Sequence, residues 1–131
     1  MNPVRAHRNV TEIFRHPTGE LPDGQGLPEI TPAELAARWD AGDRPALLDV
    51  REEDEHAIAR LDGARLVPLA ILPGLVQDLD PDVEWVVYCH HGVRSAAAVD
   101  FLRRHGVGRA RNLAGGIDRW SREVDPTVAR Y

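Results

Sequence analysis

Short apolar runs alternate with helix-forming stretches from residue 29 to residue 122, and this alternation restricts the chain more than any other feature. Ala46-Leu47-Leu48-Asp49-Val50, Arg65 to Leu69, Trp85 to Tyr88 and Arg109 to Leu113 read as strands. The first is a short apolar run of the kind buried in a parallel sheet, and Trp85 to Tyr88 is β-branched and aromatic throughout. Thr31-Pro32-Ala33-Glu34 forms a capping box with proline at the first helical position. Leu35 and Trp39 then share one helix face, and Gly42 stops the helix. Glu52 to Ala59 is a second helix, acidic in its first turn, where the helix dipole favours negative charge. Ile71 to Leu79 carries a brief helix interrupted near Pro73-Gly74, Ser95 to His105 a longer one stopped by Gly106, and Gly116 to Arg122 the last. Strands alternating with helices imply a parallel sheet covered on both faces: an α/β domain in three layers.

A chain of 131 residues has room for one such domain with a real core. Residues 1–28 read as an N-terminal extension, partly irregular or flexible, with a turn-rich stretch from Leu21 to Pro28 and at most a short apolar helix around Val10 to Phe14. Residues 29–122 form the domain and residues 123–131 a C-terminal tail. All 16 basic residues are arginine, which excludes Schiff-base chemistry and a phosphate-binding Walker lysine. A net charge of -5 argues against nucleic acid as a partner. No apolar run approaches the length of a membrane span, and the N-terminus lacks a signal-peptide core. One cysteine cannot form an internal disulfide, so a reducing, cytoplasmic location is the expectation.

That cysteine, Cys89, ends the strand Trp85-Val86-Val87-Tyr88 and precedes the helix that starts at or just before Ser95. A thiol between a strand end and a helix start faces backbone N–H groups and the positive end of the helix dipole. Both favour the thiolate, which makes Cys89 the candidate nucleophile. Gly92 lets the loop curl and turn its amides inward, and Arg94 adds a positive charge. The plainer alternative is a buried, inert thiol acting as a small hydrophobe. Asp49 and Arg51 stand at the end of another strand, where they either support the active loop or form a structural ion pair or cap. His90 and His91 are adjacent and point apart, a poor metal site, so no metal is expected. His56 and His105 read as helix-surface residues, and Trp120, at helical spacing from Ile117, as core. Eight acids crowd residues 40–62, whereas residues 89–111 carry five arginines against Asp100 alone. The cysteine half is thus either a basic face suited to an anionic ligand or an ordinary solvated one.

Cys89-His90-His91-Gly92-Val93-Arg94-Ser95 after an apolar strand resembles the active loop of rhodanese-type sulfurtransferases. Three further segments agree in order and spacing: Leu47-Leu48-Asp49-Val50-Arg51, Asp62 to Leu69, and Asn112 to Trp120 with its Gly115-Gly116 pair. The resemblance covers about residues 29–122 and implies a rhodanese-like three-layer fold, with a central, mostly parallel sheet. It also implies an enzyme that takes sulfane sulfur from a small anionic donor such as thiosulfate onto Cys89 as a persulfide, then passes it to a nucleophilic acceptor, with no cofactor. The amides of His90, His91, Gly92, Val93, Arg94 and Ser95 would hold the anionic sulfur, as an oxyanion hole holds oxygen. Six residues from Cys89 to Arg94 match the sulfur-transferring members. The related phosphatases and arsenate reductases have one more. Two histidines after the cysteine match neither the thiosulfate nor the mercaptopyruvate pattern. Ile58-Ala59-Arg60 and the ending Val124 to Tyr131 look most like the rhodanese domain of molybdopterin-synthase adenylyltransferases, which implies a ubiquitin-like sulfur-carrier protein, or another thiol, as acceptor. The alternatives from this resemblance are a noncatalytic binding or regulatory module and a small cysteine-dependent phosphatase or arsenate reductase.

Overall fold

The structure, a computed structural model, describes residues 27–131; the helix considered at Val10 to Phe14 and most of the N-terminal extension lie outside them. Five strands form one sheet in the order β1-β5-β4-β2-β3, and every neighbouring pair is parallel. They are β1 (Glu29–Ile30), β2 (Ala46–Asp49), β3 (Arg65–Leu66), β4 (Trp85–Tyr88) and β5 (Ala110–Leu113). The helices are α1 (Pro32–Asp40), α2 (Glu53–Ile58), α3 (Leu72–Leu75), α4 (Val93–Arg104) and α5 (Gly116–Glu123).

The central strand β4 has all four residues buried, which is why its sequence shows no polar alternation. Trp85 and Val87 join one core with Leu48, Val50, Ala98, Val99 and Leu102, beneath α4 and the turns around α3. Val86 and Tyr88 join the other with Leu35, Leu113, Ile117 and Trp120, beneath α1 and α5. The two cores confirm helices on both faces. Trp120 is core as expected, in edge contact with Trp39 at 4.9 Å between ring centroids.

α1 carries the expected capping box: Thr31 Oγ1 accepts from the Glu34 amide at 3.1 Å, and the Thr31 amide donates to Glu34 Oε1 at 2.8 Å. Other elements differ from the expectation. Glu29–Ile30 is a strand, paired through Glu29 with Asn112 and Ile30 with Leu113; two residues are too few to show a period. The strand expected over Arg65 to Leu69 ends at Leu66, because Pro68 has no N–H to continue the ladder. Only the amides of Val67 and Leu69 carry on, bonding to Asp49 O at 2.9 Å and Val50 O at 3.0 Å. Pro73-Gly74 does not interrupt the helix there but lies inside α3, flanked by 3-10 turns at Leu69–Ile71 and Val76–Asp78. Proline in a first turn gives up an amide that has no helical partner anyway. Helix α4 starts at Val93, just before Ser95 as expected, on Gly92 at φ 99. Residues 124–131 fold back onto the domain: Val124 and Val128 pack on the second core, and Ser121 Oγ donates to Val128 O at 2.6 Å.

Candidate active site

Cys89 follows the last residue of β4, between the carboxyl ends of β2 and β5, the part of an open parallel sheet where ligands are held. Its thiol is free and 1% exposed. Sγ receives the amide of Gly92 at 3.1 Å and that of Ser95 at 3.4 Å. Two of the six amides expected around the sulfur thus reach Sγ itself. His90, His91, Val93 and Arg94 complete the curl, with His91 and Val93 on its exposed rim. The left-handed backbone at Gly92 turns the loop into α4, so the first turn of that helix faces the sulfur.

The loop is held from behind by groups the sequence did not single out for this role. Ser95 Oγ stands 3.3 Å from Sγ and 2.6 Å from Asn112 Oδ1, and its single proton can serve either. Asn112, on β5, also donates through Nδ2 to Gly92 O at 3.2 Å and to Glu29 Oε2 at 3.3 Å. A buried asparagine in a strand was the available signal, since such a group must be hydrogen-bonded. The first turn of α5 grips the loop backbone: the amides of Ile117 and Asp118 bond Cys89 O at 2.9 Å and His90 O at 3.0 Å. That close approach requires Gly116, where φ is +65 and a Cβ would collide with the His90 and Cys89 carbonyls.

Asp49 and Arg51 form a fully buried pair, with Arg51 Nε and Nη2 at 2.9 and 2.7 Å from the two carboxylate oxygens. This is the ion-pair alternative, and it serves the site at one remove. Burial pulls the Arg51 guanidinium down, but the bonds to Asp49 and Tyr131 more than reverse this, so Arg51 stays charged. His56 is not a free surface residue: its Nδ1 lies 2.8 Å from Asp49 Oδ2. His105 is likewise engaged, with Nδ1 at 2.8 Å from Phe101 O and its ring stacked on Phe101.

Arg94 does not stand as an uncompensated charge beside the sulfur. Its guanidinium grips the Glu55 carboxylate with two bonds of 2.7 and 2.9 Å. That bond holds Glu55 at about 2, well below its ordinary value. The other arginines of residues 89–111 are partnered too. Arg103 donates to Ala110 O, Arg104 pairs with Asp100, and Arg109 and Arg111 flank Glu84. The basic half is therefore largely compensated framework.

Among the described residues one group could hold a metal ion: His90, His91 and Asp118, with ligating atoms within 4.8 Å of one another. Asp118 was not linked to the histidines in the sequence, and the two imidazoles do not point apart as expected but are stacked, because the curl of the loop turns both to one side. Its two oxygens already accept from Arg130 at 3.0 Å and Arg122 at 3.1 Å, so ion pairing satisfies it without a cation. No helix among the described residues is long and apolar enough to cross a membrane.

Residues 31–123 match the model of the rhodanese-like domain family. The chain is 39% identical over 105 residues to the probable adenylyltransferase/sulfurtransferase MoeZ of Mycobacterium tuberculosis; the match covers 78% of this chain but only 26% of MoeZ. It is 34% identical over 101 residues to a sulfurtransferase of Allochromatium vinosum, covering 77% of this chain and 94% of that protein. Among solved structures, a rhodanese-related protein from Thermoplasma volcanium superposes with a TM-score of 0.70 at 32% identity, covering 80% of this chain and all of that one.

Proposed function

The chain belongs to the rhodanese-like domain family, and on that premise we propose that it is a sulfurtransferase working through a Cys89 persulfide. The observation that carries the proposal is the sulfur's setting, buried at the head of α4 with the Gly92 and Ser95 amides aimed at it. Fixed N–H dipoles in a site closed to water stabilise negative sulfur without reorganising during the reaction.

The chemistry runs in two displacements. The Cys89 thiolate attacks the outer sulfur of the donor; a new S–S bond forms as the donor's own bond to that sulfur breaks. With thiosulfate the electron pair leaves on sulfite, and Cys89 carries the terminal S⁻. An acceptor nucleophile then attacks that terminal sulfur, and the pair of the broken S–S bond returns to Cys89 as thiolate. These 131 residues hold no second cysteine to take the sulfur from Cys89. A small donor, or a partner with a slender sulfur-bearing arm, suits a nucleophile this buried. The acceptor we favour is a thiol or a ubiquitin-like sulfur-carrier protein in a reducing, cytoplasmic setting. Its support is the likeness to adenylyltransferase/sulfurtransferases, of which the chain spans about a quarter.

Intact-mass measurement after incubation with thiosulfate, and separately mercaptopyruvate, tests the proposal. The expected result is a gain of one sulfur, about 32 Da, that cyanide removes and Cys89→Ser never acquires. Absence of loading from both donors and from a cysteine desulfurase, in folded protein, would leave the noncatalytic binding module as the better reading.

A further inference from the structure

Residues 124–131 return to the active loop and place the Tyr131 ring on it. The Tyr131 and His90 rings are stacked at 3.9 Å between centroids and 9° between planes. His90 is also stacked on His91 at 3.9 Å. Two rings at that distance occupy opposite faces, so the imidazole next to the nucleophile is sandwiched. Its Nε2 is buried without a hydrogen-bond partner among the described residues. Stacking, and not hydrogen bonding through that atom, holds this face of the ring.

The Tyr131 hydroxyl reaches a different part of the site. It accepts from Arg51 Nη1 at 2.7 Å and donates to Glu55 Oε1 at 3.3 Å. Arg51 is the immobile side, fully buried and clamped by Asp49. Glu55 is the other side, the carboxylate that grips Arg94. One side chain thus ties both flanks of the loop, His90 after the nucleophile and Arg94 at the helix start, to a rigid strand-end ion pair. The segment is anchored upstream by Arg130 on Asp118 at 3.0 Å and by Val128 in the core. Burial holds His90 below its ordinary range, with His91 and Arg94 acting the same way and Asp118 and Glu55 opposing them. The ring that buries it includes Tyr131.

We propose that Tyr131 is a positioning residue for sulfur transfer, clamping His90 through its ring and Arg94 through its hydroxyl and Glu55, so that the folded-back segment sets the shape of the donor site. This rests on the sulfurtransferase reading, but its central geometric claim can be tested without turnover.

The experiment compares the full chain with Tyr131→Phe and Tyr131→Ala. Steady-state transfer from thiosulfate to cyanide is measured together with the NMR titration of the His90 imidazole. Tyr131 is 40% exposed, so both variants should fold, and a thermal melt checks this. Tyr131→Phe keeps the stack and loses the hydroxyl: the His90 titration stays where it is, while KM for thiosulfate rises several-fold at little change in kcat. Tyr131→Ala loses both: KM rises about tenfold or more, and the His90 midpoint moves up towards that of an exposed imidazole. A His90 midpoint unchanged in Tyr131→Ala, or kinetics unchanged in both variants of an active protein, overturns the proposal. If the wild-type chain transfers no sulfur from any donor, the sulfurtransferase reading fails, and the His90 titration still decides whether Tyr131 clamps the loop.

Discussion

Glu55 gathers Arg94, the Tyr131 hydroxyl and the Glu52 amide on one carboxylate. Its value of about 2 in the fold, against an ordinary 4.5, has a definite consequence for acid stability. A carboxylate depressed by folding stabilises the protein fully above about pH 4.5, and that contribution drains away as pH falls towards 2. Because Arg94 is partly exposed and screened, the contribution is about 1–2 kcal/mol, not the whole shift converted. Urea midpoints measured from pH 6 to pH 2 should therefore fall less steeply for Glu55→Gln than for the wild-type chain; equal slopes would remove Glu55 from the account. At this scale the sequence was informative where chemistry is local. A lone cysteine between strand and helix, with Gly92 and Arg94 close behind, marks its own role. The partners of Asn112, Glu55 and Tyr131 were not legible, because they lie 17, 39 and 80 residues away in Ser95, Arg94 and Arg51.

Helix α5 does more than cover the sheet, since its first turn supplies two amides to the backbone of the active loop. Two glycines in helices on opposite faces of the sheet give opposite expectations for the same substitution. Gly74 sits inside α3 with nothing within 4 Å of an added Cβ, so Gly74→Ala should raise stability by about 0.5–1 kcal/mol through helix propensity alone. Gly116→Ala combines positive φ with a collision against the His90 and Cys89 carbonyls, and should cost about 2–4 kcal/mol. Chemical denaturation gives both signs, and persulfide loading should fall for Gly116→Ala alone. Element boundaries were readable where a side chain enforces them, as at the Thr31–Glu34 box and at Gly42. They were misread where the ladder decides. β1 exists through its pairing with β5, and β3 is cut short by the missing amide of Pro68.

Across the described residues as a whole, one parallel sheet separates two cores that both draw on β2, β4 and β5 but share no side chain. Leu102 belongs to the core beneath α4, and Ile30 to the opposite one. Leu102→Ala should cost about 2–5 kcal/mol and Ile30→Val about 0.5–1.5 kcal/mol. The double variant should equal their sum within about 0.5 kcal/mol, because the sheet keeps the two sites from relaxing into each other. A clear departure in the denaturation midpoints would show strain passing through β4. The fold class was legible at this scale because β2 and β4 carry clear apolar signals and strands alternate with helices along the chain. The pairing of β1 with β5 has a consequence in time. Nearly the whole domain must be synthesised before Glu29 can meet Asn112, and contacts between such distant residues form late in folding. Asn112 also holds Gly92 O and bonds the Ser95 hydroxyl, so the support behind the sulfur waits for β5, which is made after the active loop and its helix. A chain made only as far as α4 carries the thiol and its nearest amides, but the asparagine that braces them, and the pairing with β1 that braces the asparagine, are still to come.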